Sequence, residues 1–196
     1  MQAPTPQELA NTFVTLKPLR LDEAAAYAAI GNHPDIWQYL SAQPFTSSGD
    51  AEYWIRDRLR RSEKTGEIHF SVYDNHSGHL AGSTAYLDIR QSHGGLEIGY
   101  TWYGKAFQRT YVNTATKLAL LEHAFVTLDV NRVQLQTDSR NLKSQQAIER
   151  LGATREGLLR QHKIYPDGYV RDSVIYSITR YDWPQVEQVL LRSLNR

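Results

Sequence analysis

Two stretches of this chain place a helix N-terminus directly after a strand, an arrangement that suits an anionic ligand. The first follows LEIGYTWY (96–103), where a loop over 104–113 leads to Thr114, which opens a helix. The second lies in TDSRNLKSQQAIERLGATREGLLRQ (137–161), where a strand end passes into a helix at Asn141, with Ser144 in its first turn. The first N–H groups of a helix have no intrahelical partner and sit at the positive end of its dipole, which suits a pyrophosphate. Two neighbouring junctions of this kind could hold an extended phosphorylated cofactor between them. Taken singly, Thr114 and Asn141 read better as ordinary caps.

Other chemistry is narrowed by what the chain lacks. It has no cysteine, which excludes disulfides, thiolate zinc sites and a cysteine nucleophile. The seven histidines show no ligand spacing, and His76 and His79 share a tight turn that reads as a solvated hairpin tip, so no metal is expected. The run RDRLRRSEK (56–64) is either a solvated helix face or a basic surface for an acidic protein or ribosomal RNA phosphates.

The elements that would position these residues follow from periodicity. FVTLKPLR (13–20) alternates as a strand, Asp22 caps an alanine-rich helix, and 47–66 forms a second helix with Trp54, Ile55 and Leu59 on one stripe and Gly66 as its stop. IHFSVYD and LAGSTAYLDIR flank a short turn as an antiparallel hairpin. In 96–103, alternation puts Leu96, Ile98, Tyr100 and Trp102 on one face and Glu97, Gly99, Thr101 and Tyr103 on the other. A helix from Thr114 to Leu128, a strand over 131–138, a helix over 142–151, two strands turning at PDG and a proline-initiated helix complete the chain. The order β α α β β β α β α β β α predicts one α/β domain over 13–196, a central mixed sheet flanked by helices, preceded by a flexible arm over 1–12.

At 196 residues, 41% hydrophobic and 22% charged, the chain can bury a substantial core. A net charge of +1 gives no strong pull toward nucleic acid or a membrane. MQAPTPQELANTF lacks a basic region followed by an apolar run, and no apolar run reaches spanning length, so a cytoplasmic location is expected.

LEIGYTWYGKAFQRTYVNTATKLALLEHAF, NRVQLQTDSRNLKSQQAIERLGATREGLLRQ and PDGYVRDSVIYSI together resemble the GNAT N-acetyltransferases, and within them the RimJ/RimL type that acetylates protein N-termini. The likeness runs from about Val14 to Trp183, and N-x-x-S-x-x-A-I-x-x-L-G-A-x-x-E-G is its most specific part. The resemblance implies a GNAT-like domain with a mostly antiparallel sheet, acetyl-CoA as donor, a primary amine as acceptor (a peptide N-terminus or a small amine), and direct attack in a ternary complex. A homodimer stays open. Nucleic acid is not an expected partner except as a ribosomal surface, and a membrane is not one.

The resemblance also implies residue roles. Glu97 would take the proton of the amine, directly or through water, against the alternative of a solvated or salt-bridged strand carboxylate. Ser144 would stand near the CoA sulfur and protonate the leaving thiolate, or only bond backbone in the first turn. Asn141 would hold the pantetheine arm, and Trp102 and Tyr103 would offer backbone groups to the thioester. The pyrophosphate loop of the family, Gln/Arg-x-x-Gly-x-Gly/Ala, here reads Gln108-Arg109-Thr110-Tyr111-Val112-Asn113, ahead of Thr114. Tyr111 lacks the conformational freedom of the glycine it replaces, while the Asn113 side chain could supply a donor. These two residues favour the alternative of a non-catalytic module that binds CoA or a protein partner. The last hairpin, with His162, Tyr165 and Tyr176, would border the acceptor pocket.

Overall fold

The computed structural model describes residues 1–195. Its elements run β1 (Leu9–Ala10), β2 (Val14–Pro18), α1 (Ala24–Ile30), α2 (Pro34–Trp37), α3 (Ser48–Thr65), β3 (Ile68–Asp74), β4 (Leu80–Arg90) and β5 (Gly95–Tyr103). Then follow α4 (Val112–Glu122), β6 (Arg132–Asp138), α5 (Leu142–Arg150), β7 (Thr154–Ile164), β8 (Val170–Thr179) and α6 (Trp183–Leu194). The strands form one eight-stranded sheet in the order β1-β2-β3-β4-β5-β6-β8-β7. Every neighbouring pair is antiparallel except β5 and β6, so the sheet is mixed and mostly antiparallel, as expected.

Two apolar clusters hold the helices to the sheet. The larger packs Leu118, Leu121 and Phe125 of the α4 region and Trp183, Val186 and Leu190 of α6 against Leu96, Ile98, Val133, Leu135 and Ile178. The smaller is aromatic: Tyr27, Trp37, Phe45, Trp54 and Trp102 gather α1, α2 and α3 against the far end of β5. α3 begins at a capping box, Ser47 with Asp50, and stops at Gly66, whose φ of 73° is the left-handed geometry that glycine adopts without strain.

Several local expectations are corrected. The 1–12 stretch read as a loose arm is tied down, because Leu9–Ala10 pairs with β2 and the Gln2 N–H donates to the Leu128 carbonyl at 2.7 Å. α2 was not foreseen. Glu23, not Asp22, occupies the cap position of α1, and a 3-10 turn over Leu21–Glu23 precedes it. α4 starts at Val112, two residues before Thr114, and gives way to a π-type stretch at His123–Thr127.

The largest correction concerns the faces of β5. Tyr100 has φ +48°, and the β4–β5 register shifts between Ser83 and Ala85 opposite it. This bulge adds one unpaired residue and reverses the side-chain alternation beyond it. Leu96 and Ile98 enter the larger core, as does Tyr103, while Trp102 enters the aromatic cluster on the opposite side. Thr101 consequently faces α4, where the buried Lys117 Nζ donates to its hydroxyl at 2.8 Å.

Candidate functional site

The parallel pairing of β5 with β6 covers only Gly95–Arg132, Leu96–Val133 and Glu97–Gln134. Past Glu97 the two strands separate, so the sheet forks. β6 continues to pair with β8 as far as Asp138, and β5 with β4 as far as Tyr103. The upper edges of the fork lead into the loop before α4 on one side and the junction before α5 on the other. The two helix N-termini picked out in the sequence therefore flank one opening.

Glu97 stands at the base of the fork. It is 5% exposed, and its carboxylate accepts from Gln136 Nε2 at 2.7 Å on both oxygens and from Gln134 Nε2 at 3.0 Å. No arginine or lysine pairs with it among the described residues, so the salt-bridged alternative does not apply. Burial holds its pKa above the ordinary glutamate value, only partly offset by the glutamine donors and by Lys163. Gln136 Oε1 is buried without a partner, a free acceptor beside the carboxylate. Both residues line an open groove of about 850 Å³ that runs between β5, β6 and β7, with Tyr100, His162 and Lys163 along it.

On the β5 side, the loop is held by its own side chains. Gln108 Nε2 donates to the Tyr103 carbonyl at 2.9 Å, and the Thr110 hydroxyl donates to the Phe107 carbonyl at 2.8 Å and accepts from the Val112 N–H at 3.3 Å. Tyr111 adopts right-handed dihedrals, φ −67° and ψ −18°, so its position does not require glycine. Its hydroxyl donates to Asp74 and its ring packs on Phe13, which directs the side chain toward the β3–β4 turn. The left-handed residue is Arg109, with φ +63°. The first intrahelical bond of α4 runs from the Ala115 N–H to the Tyr111 carbonyl, so the N–H groups of Asn113 and Thr114 precede the ladder. These two groups, with the Arg109 guanidinium nearby in the chain, fit an anionic diphosphate.

On the β6 side, Asn141 caps α5: its Oδ1 accepts from the Ser144 N–H at 3.1 Å. That leaves the Asn141 Nδ2 donors free, and the Ser144 hydroxyl makes no hydrogen bond among the described residues, although its backbone is capped. Trp102 and Tyr103 close the β5 arm. The Trp102 indole N–H is buried without a partner, and its ring lies 4.8 Å from that of Trp37.

The acceptor side departs from the sequence reading in two respects. Tyr176 is fully buried and donates to Glu149 of α5 at 3.0 Å, away from the groove; His162 lines the groove, and Tyr165 donates to the Tyr39 carbonyl at 3.2 Å. The basic run on α3 is largely neutralised, since Arg56 pairs with Glu52, Arg60 with Asp57 and Arg61 with Glu67. Arg58 alone turns inward, and it was missed. Its place four residues after Trp54, on the apolar stripe of α3, was the available signal.

Among the described residues no group of three His, Cys, Asp or Glu could hold a metal ion, and no helix is long and apolar enough to cross a membrane. Residues 14–154 match the family described as "Acetyltransferase (GNAT) domain". The chain is 29% identical over 178 residues to "Putative ribosomal N-acetyltransferase YdaF" of Bacillus subtilis, covering 88% of this chain and 94% of that one. A GCN5-related N-acetyltransferase from Brucella melitensis superposes with a TM-score of 0.87 at 26% identity, covering 97% of this chain and 86% of the other. Mycobacterium smegmatis RimJ, solved in complex with CoA-disulfide, shares the fold at a TM-score of 0.79 and 19% identity, with 98% and 97% of the two chains covered.

Proposed function

The chain belongs to the GNAT acetyltransferase family and is an acetyl-CoA-dependent acyltransferase of RimJ/RimL-like type; from that premise we propose that it passes the acetyl group directly to a primary amine in a ternary complex. The observation that carries the proposal is the end of β5–β6 pairing at Glu97–Gln134, which opens the sheet between a buried carboxylate and two helix N-termini. Bound acetyl-CoA supplies an activated thioester carbonyl. The N–H groups of Asn113 and Thr114 and the Arg109 side chain hold its diphosphate, while Gln108 and Thr110 fix the loop that presents them. Val112 and Tyr111 contribute backbone, and the Tyr111 side chain makes no phosphate contact. Asn141 Nδ2 and the backbone of Trp102 and Tyr103 orient the pantetheine arm.

Glu97 receives the proton of the attacking amine, directly or through a water that Gln136 Oε1 also holds. Its raised pKa improves the match to an amine at neutral pH. The Ser144 hydroxyl donates to the departing sulfur, and the proton it gives up is regained from solvent. The acceptor enters along the groove, and a protein or peptide N-terminus or a small amine can reach Glu97 from there. The reading of the chain as a non-catalytic module rested on Tyr111 and Asn113; Tyr111 takes helical dihedrals open to any residue, and Asn113 lies in the first turn of α4. Release of free thiol from acetyl-CoA, screened across peptides and small amines, tests the proposal. Acetyl-CoA binding without turnover on any amine would defeat it.

A further inference from the structure

We propose that the small cavity walled by Arg58, Trp37, Trp54, Tyr100 and Trp102 is an anion subsite for the acceptor, so that the amine acetylated by this enzyme carries a carboxylate. The inference rests on the transfer reading for its amine, and on Arg58 alone for its anion.

Arg58 is 7% exposed, yet its guanidinium makes no hydrogen bond among the described residues, and its Nε is buried without a partner. The nearest carboxylate oxygen, Asp57 Oδ2, lies 3.8 Å away, and Asp57 is already engaged by Arg60. A buried cation without hydrogen-bonded compensation is costly, and protein interiors rarely retain one without a use. Its compensation here is the faces of Tyr100 at 4.6 Å and Trp54 at 5.7 Å. Neighbouring anions are committed elsewhere: Glu67 to Arg61 and His69, and Glu97 to two glutamines. The guanidinium thus lines a cavity with open N–H donors in a planar fork, a shape that matches a carboxylate in two-point contact.

The position of the cavity gives the anion a role in acetyl transfer. Tyr100 lines both this cavity and the groove that holds Glu97, so the two adjoin at the β5 bulge. An acceptor that seats its carboxylate against Arg58 leaves its amine on the groove side of Tyr100, where Glu97 faces. One guanidinium within aromatic walls balances a single negative charge. This favours a carboxylate over a phosphate dianion.

The test pairs acceptors that differ only in charge: free amino acids against their carboxamides, and Asp- or Glu-initiated dipeptide amides against the Asn or Gln counterparts. Thiol release should favour the carboxylate member at least tenfold in kcat/KM, mainly through KM, and R58Q should erase that ratio. R58K, which keeps the charge but not the fork, should recover only part of it. In parallel, tryptophan fluorescence of the CoA-saturated protein is titrated with N-acetylglycine and N-acetylglycinamide. The carboxylate alone should perturb the signal, with a Kd at least tenfold weaker in R58Q. Equal rates within each pair, or a carboxylate preference that survives R58Q, would overturn the inference. Should no amine release thiol, the transfer reading fails, and the fluorescence titration still decides the subsite. R58M should melt no lower than the parent; a clearly lower melting temperature with no carboxylate response in the parent would reduce Arg58 to a packing role and overturn the proposal.

Discussion

Gln136 reaches across the fork from β6 to donate to both carboxylate oxygens of Glu97 on β5 at 2.7 Å, so the buried acid is oriented by an amide and not neutralised by a cation. A carboxylate in this setting keeps its basicity. Glu97→Gln should lower kcat/KM by about 10²–10⁴-fold, the usual contribution of a general base, and leave acetyl-CoA affinity within a few-fold. Because burial raises the Glu97 pKa, the acid limb of the parent pH–rate profile should lie above the ordinary glutamate range, and the variant should lose that limb. A retained limb in Glu97→Gln would assign it to another group.

Ser144 presents its hydroxyl without a protein partner while its backbone N–H is capped by Asn141. Ser144→Ala should therefore leave the melting temperature nearly unchanged and lower turnover by roughly tenfold or more where chemistry limits the rate. Steady-state kinetics beside a thermal melt checks both. Unchanged turnover would return Ser144 to a plain first-turn residue.

The cap and the proposed pantetheine contact of Asn141 fall on different atoms, since Oδ1 caps α5 and Nδ2 makes no hydrogen bond among the described residues. Asn141→Asp keeps the cap acceptor and loses the donors, so it should weaken acetyl-CoA binding at little cost in stability. Asn141→Ala loses both and should cost about 0.5–2 kcal/mol of stability besides. Calorimetric titration with acetyl-CoA and denaturant unfolding distinguish the two variants.

Arg109, not Tyr111, carries the left-handed backbone of the loop at φ +63°. Arg109→Gly should relieve about 1 kcal/mol of backbone strain while weakening acetyl-CoA through loss of a cation near the diphosphate. Asn113→Gly falls within the first turn of α4, so it should cost up to about 1 kcal/mol of helix stability. Paired unfolding curves and titrations test both signs.

Lys117 is 5% exposed and its Nζ donates only to Thr101 among the described residues. Burial depresses its pKa to about 7 from 10.5. Between these values the unfolded chain binds the proton more tightly than the folded one, so stability should rise as pH increases from about 7 toward 10 and flatten on either side. Lys117→Met should stabilise the protein by roughly 2–4 kcal/mol at pH 7 and abolish most of that slope. Guanidinium unfolding at pH 7 and pH 9.5 would show it.

Long periodic segments were legible from the sequence. α3 was bounded by Ser47 and Gly66, the β3–β4 hairpin by its turn residues, and the start of α5 by Asn141, because each boundary is written in residues that act locally. The same holds for Asn141, whose side chain caps α5 through the Ser144 N–H. What escaped depends on partners distant in sequence. Alternation along β5 gave no sign of the bulge at Tyr100, whose register shift involves β4. α2 was too short to show a period, and β1 exists through pairing with β2. Tyr111 looked like an obstacle in a glycine loop until its dihedrals and its bond to Asp74 were visible. Arg58 was hidden in a charged run whose other arginines face carboxylates.

The left-handed residue in β5 gives that strand something like a reading frame. Before position 100 the even-numbered side chains meet α4 and the odd-numbered ones meet the groove; after it the assignment is exchanged. Flattening the bulge without changing the strand's length would be a frameshift in space, turning Thr101 and Tyr103 toward the groove and pressing Trp102 into the larger core. A substitution that pulls Tyr100 out of its left-handed conformation would therefore disturb more of the molecule than most, because Glu97 and the aromatic wall of Arg58 are kept in phase by one residue that pairs with nothing.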